Sequence, residues 1–203
     1  MKIGPKYKIA RRLGANIFDK TQTPKFAARM ASRGKGGERK GRPKTDYGIQ
    51  MIEKQKARYM YGINERQFST YVKRSLAKKS TPAVDTLYEM LESRLDNVIY
   101  RMGLASTRQM ARQMVSHGHI LVDGVKVTVP SYQVSPKEII AIRDASAKKK
   151  LFEGVGEKFK EVAVPPWIKL DLEKRQAVIE AKPAYRTGET VFDINAIIQF
   201  YQR

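Results

Sequence analysis

Apolar side chains recur at three- and four-residue steps between residues 87 and 102, at Leu87, Met90, Leu91, Leu95, Val98, Ile99 and Met102, the spacing of one buried helical face. Thr81-Pro82 offers an N-cap followed by proline at the first helical position, and Gly103 offers a stop. The pattern therefore predicts one helix from about Pro82 to Met102. A second helix follows, with Ser106 as its cap, Gln109 completing a capping box, and Met110, Ala111, Met114 and Val115 turned inward as far as Gly118. The period then changes. Ile120-Leu121-Val122 meets Val125-Lys126-Val127 across Asp123-Gly124, the pair that a type I′ hairpin turn with two positive φ angles favours. Ile139-Ile140-Ala141-Ile142 adds a further strand, and the unit is α+β.

Upstream, Ile49, Ile52, Lys56 and Tyr59 share one side of a helix from Tyr47 to Tyr61 that Gly62 can close. Asn64 caps the next helix with Gln67 at the capping-box position, and Phe68, Tyr71, Val72, Ser75 and Leu76 form its apolar stripe. Downstream, Lys148 to Lys150 open a basic helical stretch, Pro165-Pro166-Trp167 marks a rigid corner, and Ala177-Val178-Ile179 and Ile194 to Tyr201 are short apolar elements.

Charge changes the picture from a fold to a binder. Lys and Arg number 40 against 20 Asp and Glu, a formal charge of +20, so the natural partner is a polyanion whose condensed counterions are released on binding. A membrane role is disfavoured, because no run approaches the roughly 18 apolar residues of a spanning helix. The start at Met1-Lys2-Ile3-Gly4-Pro5 has no signal-peptide core, and the protein is expected to work where it is made. With no cysteine and two histidines, no cofactor or metal site is expected.

The candidate contacts fall into three groups. Arg29, Arg33, Lys35, Arg39, Lys40, Arg42 and Lys44, interleaved with glycines, form a stretch that cannot bury apolar area and is expected to order only on RNA; residues 1–45 as a whole are expected to be a basic extended arm. The alternative is a solvated tail or an import-type run. Lys54, Lys56, Arg58, Arg66, Lys73 and Arg74 flank the stripes of the two upstream helices, with Lys54 and Arg58 on an exposed face. Arg94, Asn97 and Arg101 are expected to stack along one helical face and track a backbone, while Ser106, Thr107, Arg108 and Arg112 sit where a helix N-terminus could hold a phosphate. His117 and His119 either satisfy the turn at Gly118 or touch RNA, and both readings stay open.

Several blocks resemble one family: Asp46-Tyr47-Gly48, Glu53-Lys54-Gln55-Lys56, Tyr61-Gly62, Glu65-Arg66-Gln67-Phe68, Leu91-Glu92 with Arg94-Leu95-Asp96-Asn97-Val98, Tyr100-Arg101-Met102-Gly103 and Ser131-Tyr132-Gln133-Val134-Ser135. They look like bacterial-type small-subunit ribosomal protein S4. The resemblance implies a primary binder of small-subunit rRNA at a multi-helix junction of the 5′ domain, nucleating assembly and influencing translational accuracy. Implied partners are neighbouring small-subunit proteins, notably the fifth, and mRNA near where it enters the subunit. The implied place is a bacterial cytoplasmic ribosome, with an organellar ribosome the alternative. The implied fold is a helical domain, 46–92 with 171–203, into which an α+β RNA-binding domain, 93–170, of two helices on a small antiparallel sheet is inserted. Many members carry zinc cysteines near the N-terminus, and this chain has none.

Two other classes compete. Pseudouridine synthases pair a domain of this kind with a catalytic Arg-Leu-Asp triplet, matched here by Arg94-Leu95-Asp96. That triplet is expected inside a helix with Asp96 in an ion pair or cap, and the large catalytic domain is missing, so an enzyme is not expected. A free RNA chaperone or regulator is the third class.

Overall fold

The computed structural model describes residues 3–35, 45–149, 152, 163–171 and 174–202. The chain divides into two compact units, Met1–Leu87 with Tyr185–Arg203, and Tyr88–Ala184.

The first unit is helical. Helix α1 (Lys6–Leu13) ends at Gly14, whose φ of 68° is the left-handed cap that glycine adopts without strain. A 3-10 turn (Asp19–Thr21) leads to α2 (Pro24–Lys35). Ala10, Leu13, Ile17, Phe18 and Phe26 are buried together, so this region has a core of its own. That corrects the extended-arm expectation for the described part of 1–45. Glycine and charge dominate only 29–44, whereas residues 9–26 carry enough apolar surface to fold, and the helix started at Pro24 carries on through Arg29 to Lys35. Residues 36–44 of the expected arm lie outside the described residues.

Helix α3 (Asp46–Tyr61) is capped by Thr45, whose Oγ1 accepts from the Gly48 amide at 3.3 Å, and it ends at Gly62 with φ 65°. Helix α4 (Glu65–Ala77) is capped by Asn64, which accepts from the Gln67 amide at 2.8 Å. The helix Ile194–Gln202 packs on α3 and α4. There Tyr47 meets Phe200 at 5.3 Å and Phe68 meets Tyr201 at 6.3 Å between ring centroids.

The expected continuous helix from Pro82 to Met102 is broken in two, α5 (Ala83–Glu92) and α6 (Leu95–Arg101). Arg94 between them is extended, at φ −65° and ψ 133°, and bridges Gln133. The segment Pro130–Val134 captures the backbone at the break: the Leu95 and Asp96 amides donate to the Tyr132 and Pro130 carbonyls at 2.8 and 3.2 Å, and the Val134 amide donates to Ser93 at 2.9 Å. Apolar periodicity hides such a break, because Leu91, Leu95 and Val98 stay buried on both sides of it.

Helix α7 (Arg108–Ser116) follows, and then a sheet of order β2-β1-β3-β5-β4, antiparallel throughout, made of β1 (Ile120–Val122), β2 (Val125–Lys126), β3 (Ile139–Ile142), β4 (Ile168–Asp171) and β5 (Gln176–Ile179). The hairpin turn has the two positive φ angles expected of it, 48° at Asp123 and 79° at Gly124. Asp123 also clamps β3, donating its amide to the Ile139 carbonyl at 2.9 Å and accepting the Ile139 amide on Oδ1 at 2.8 Å. Residues 171 and 176–179 pair in this sheet, which corrects their expected place with the helical domain. One core unites α6, α7 and the sheet through Leu95, Ile99, Met114, Ile120, Ile140 and Ala177, with Phe152 and Trp167 closing it.

Candidate nucleic-acid interface

The break after α5 decides the chemistry of this region. It lets Glu92 and Asp96, one on each side, reach into a cluster with Arg94, Asn97, Arg101, Arg108 and Arg112. Arg94 is fully buried and binds Asp96 through Nε at 3.1 Å and Nη2 at 2.8 Å. Arg112 Nη1 reaches the same Asp96 carboxylate at 3.4 Å. Glu92, also fully buried, accepts two bonds of 2.9 Å from Arg101 and one of 3.0 Å from Asn97 Nδ2. Asn97 turns its amide oxygen to Arg108 Nε at 2.8 Å, and the Arg108 guanidinium lies 4.3 Å from the centre of the Tyr100 ring.

Four arginines thus surround two carboxylates and the cluster keeps positive charge. The side chains of Arg101 and Arg112 are 30% and 37% exposed, so their outer N–H groups reach solvent while buried anions fix their inner ones. A buried anion of this kind pre-orders the guanidinium fork for a second acceptor, and planar forks suit phosphate bidentately. The cluster holds cations in place at a partly exposed surface. It has no group disposed for turnover, since the Asp96 carboxylate is occupied by Arg94 and Arg112.

The "Ribosomal protein S4/S9 N-terminal domain" model matches residues 1–92, and the "S4 domain" model matches residues 93–140. The chain is 40% identical to the small ribosomal subunit protein uS4 of Halothermothrix orenii, covering 98% of both chains. It is 39% identical to that of Hahella chejuensis, over 99% of this chain and 98% of the relative, and 37% identical to that of Thermotoga petrophila, over 98% of both. The chain belongs to the uS4 family. This is a structural family of ribosomal, RNA-binding proteins and not an enzyme family, so Arg94 and Asp96 of the triplet belong to the ion-pair cluster, with Leu95 in the core, and not to a catalytic centre.

Within this uS4 framework the expected contacts separate. Arg94 and Asn97 are buried and act on neighbours, which corrects the expected stacking of Arg94, Asn97 and Arg101 along one exposed face; the broken helix turns the first two inward. Lys54 is also buried. Its Nζ donates to Glu65 at 2.8 Å and lies 4.5 Å from the Phe200 ring centroid, so it does not share an exposed face with Arg58. Lys56 bonds Glu53 at 2.6 Å, and Arg58 bonds Gln55 at 3.0 Å beside Glu65 at 3.6 Å, both half-buried. Arg66, Lys73 and Arg74 are exposed on α4, as is Arg29 on α2. Arg33 and Lys35 belong to α2, while Arg39, Lys40, Arg42 and Lys44 lie outside the described residues.

The cap of α7 is Thr107, whose Oγ1 accepts from the Met110 amide at 3.1 Å, and not Ser106, which is exposed with its hydroxyl 3.5 Å from the Met110 sulfur. His117 is exposed; His119 bonds Ser146 at 2.9 Å and lies edge-on to Phe152. Burial, followed by the charges of Lys149, His117 and Arg143, holds the His119 imidazole below its ordinary pKa. Asp96 forms the ion pair that was one of its two expected roles, with Arg94 and Arg112 as partners, whereas sequence reasoning missed Glu92 as the anion under Arg101 and Tyr100 as the platform for Arg108; the acid at 92 was the available signal. A metal ion held by cysteines does not fit here, because the chain has no cysteine, and α1, the 3-10 turn and α2 close on apolar side chains.

Proposed function

We propose that this chain is a structural constituent of the small ribosomal subunit and binds its rRNA through Arg101, Arg108 and Arg112 on α6 and α7. Exposed cations of α4 (Arg66, Lys73, Arg74) are a further, separate set of rRNA contacts in this reading. The observation that carries this reading is the pair of buried carboxylates that hold half-exposed guanidiniums in fixed positions. Scattered surface cations would need no such support. Membership of the uS4 family supports a finer reading: the chain joins the 5′ domain of the rRNA at a multi-helix junction, nucleates assembly there and influences accuracy. It then lies beside the fifth small-subunit protein and the incoming mRNA, in a bacterial cytoplasmic ribosome.

Filter binding to a small-subunit rRNA 5′-domain transcript, with tRNA as competitor, tests the proposal. The native chain should prefer the transcript, and replacing the three arginines by glutamine should remove most of that preference. Equal competition by tRNA would reduce the chain to a nonspecific polycation.

A further inference from the structure

A second place on the helical unit is built for more than charge. A cavity of about 500 Å³ opens between α1 and α2. Tyr7 and Phe26 form its aromatic side, with ring centroids 5.6 Å apart at 37°. Phe26 is fixed in the buried cluster of Ala10, Leu13, Ile17 and Phe18, whereas Tyr7 is 48% exposed. The anchored ring therefore holds a platform whose remaining surface faces the cavity and solvent. Arg11, Lys25 and Arg29 line the same cavity, and among the described residues no acidic one does. Arg11 is tied to the Tyr7 turn, its Nε donating to the Tyr7 carbonyl at 3.2 Å.

An aromatic wall with a cationic rim matches a nucleotide, with the base on the ring and the phosphate on the cations. A bare phosphate would leave the aromatic wall without a role, and an acidic peptide would not call for a flat exposed ring. Three cations spread over two helices suit successive phosphates of a strand better than one free nucleotide. We infer that the Tyr7 cavity receives an unstacked nucleotide of an RNA strand, with its base on Tyr7 and its flanking phosphates on Arg11, Lys25 and Arg29. The inference rests on the RNA-binding reading above and adds to it a site that senses the presence of a base.

The test uses the full chain and three probes: a short single-stranded oligoadenylate, an abasic oligomer with the same number of phosphates, and AMP. The oligoadenylate should bind about tenfold more tightly than the abasic oligomer, the lower part of the range that one stacked base contributes. Tyr7→Leu should erase that ratio and leave abasic affinity unchanged, while Tyr7→Phe should preserve it. Circular dichroism melting checks that Tyr7→Leu remains folded. Equal affinity for base-bearing and abasic oligomers, a ratio that survives Tyr7→Leu, or AMP binding as tightly as the oligomer would each overturn the inference. The rRNA transcript is measured in parallel: native binding to it without base preference defeats the cavity alone, whereas failure to bind it defeats the underlying reading.

Discussion

Arg101 lays its guanidinium on the fully buried Glu92 carboxylate through two hydrogen bonds of 2.9 Å. Glu92 also accepts from Asn97, so one carboxylate orders both Arg101 and, through Asn97, Arg108. Glu92→Gln keeps the shape but removes the charge and one acceptor. Leaving such groups under-satisfied costs about 1 to 3 kcal/mol. The urea midpoint should fall accordingly with an unchanged m-value, and rRNA affinity should fall further than a pure stability loss explains. Affinity unaltered in the folded variant would mean that the arginines need no ordering.

Different substitutions separate the ion pair of Arg112 from the rRNA contact proposed for it. Its Nη1 lies 3.4 Å from buried Asp96, so Arg112→Glu sets a carboxylate against a carboxylate and should lower both stability and affinity. Arg112→Gln should cost less than about 1 kcal/mol of stability, since the pair is long and partly exposed. It should still weaken rRNA binding measurably. Thermal melts and filter binding on both variants check this contrast.

Lys54 should prove irrelevant to RNA in the folded chain. Lys54→Met removes one partner of Glu65, leaving Tyr201 and Arg58, but retains packing on Phe200, and the loss should be about 1 to 2 kcal/mol because the Glu65 side chain is partly exposed. Burial pushes the Glu65 carboxyl up, but hydrogen bonds from Lys54 and Tyr201 and the charges of Lys54 and Arg58 outweigh it, leaving the group below its ordinary 4.5. A depressed carboxylate stabilises the fold above its unfolded value and loses that contribution as pH falls through the folded value. Native stability should therefore drop as pH falls below about 4.5, and Lys54→Met should flatten this part of the profile. An identical acid profile in both chains would remove Glu65 from the account.

Gly118 tests the left-handed turn between α7 and β1. Its φ is 69°, and a Cβ there would displace only the flexible end of the Lys126 side chain. Gly118→Ala should cost about 1 kcal/mol or more through the left-handed backbone alone, read as a lower melting temperature.

Much of the capping and turn chemistry was legible in the sequence because it is local: Asn64 accepts the Gln67 amide, Gly62 closes α3 and Asp123-Gly124 makes the hairpin turn. The cap of α7 was misplaced by one residue, and the Gln67 side chain reaches Tyr71 instead of closing a capping box with Asn64. The break at Arg94 was not legible, since residues 130–134, far along the chain, capture the backbone there and helical periodicity runs through it. The same non-local step hid the site's logic: arginines at 101, 108 and 112 announce an anion partner, but only the break brings Glu92 and Asp96 beneath them. Lys54 was misplaced for a similar reason, as its partners Glu65 and Phe200 come from α4 and the last helix. The α1 to α2 core was hidden because the glycine-rich basic run beyond it dominates the composition of residues 29–44.

The salt dependence of rRNA binding tests the central claim most directly. With about eight phosphates neutralised, the slope of log affinity against log salt should be roughly −6 to −7 for the native chain. Replacing Arg101, Arg108 and Arg112 together by glutamine should shrink its magnitude by about two to three, a little under one for each phosphate that is no longer neutralised. A folded triple variant with the native slope would contradict the claim that these three arginines meet the rRNA backbone.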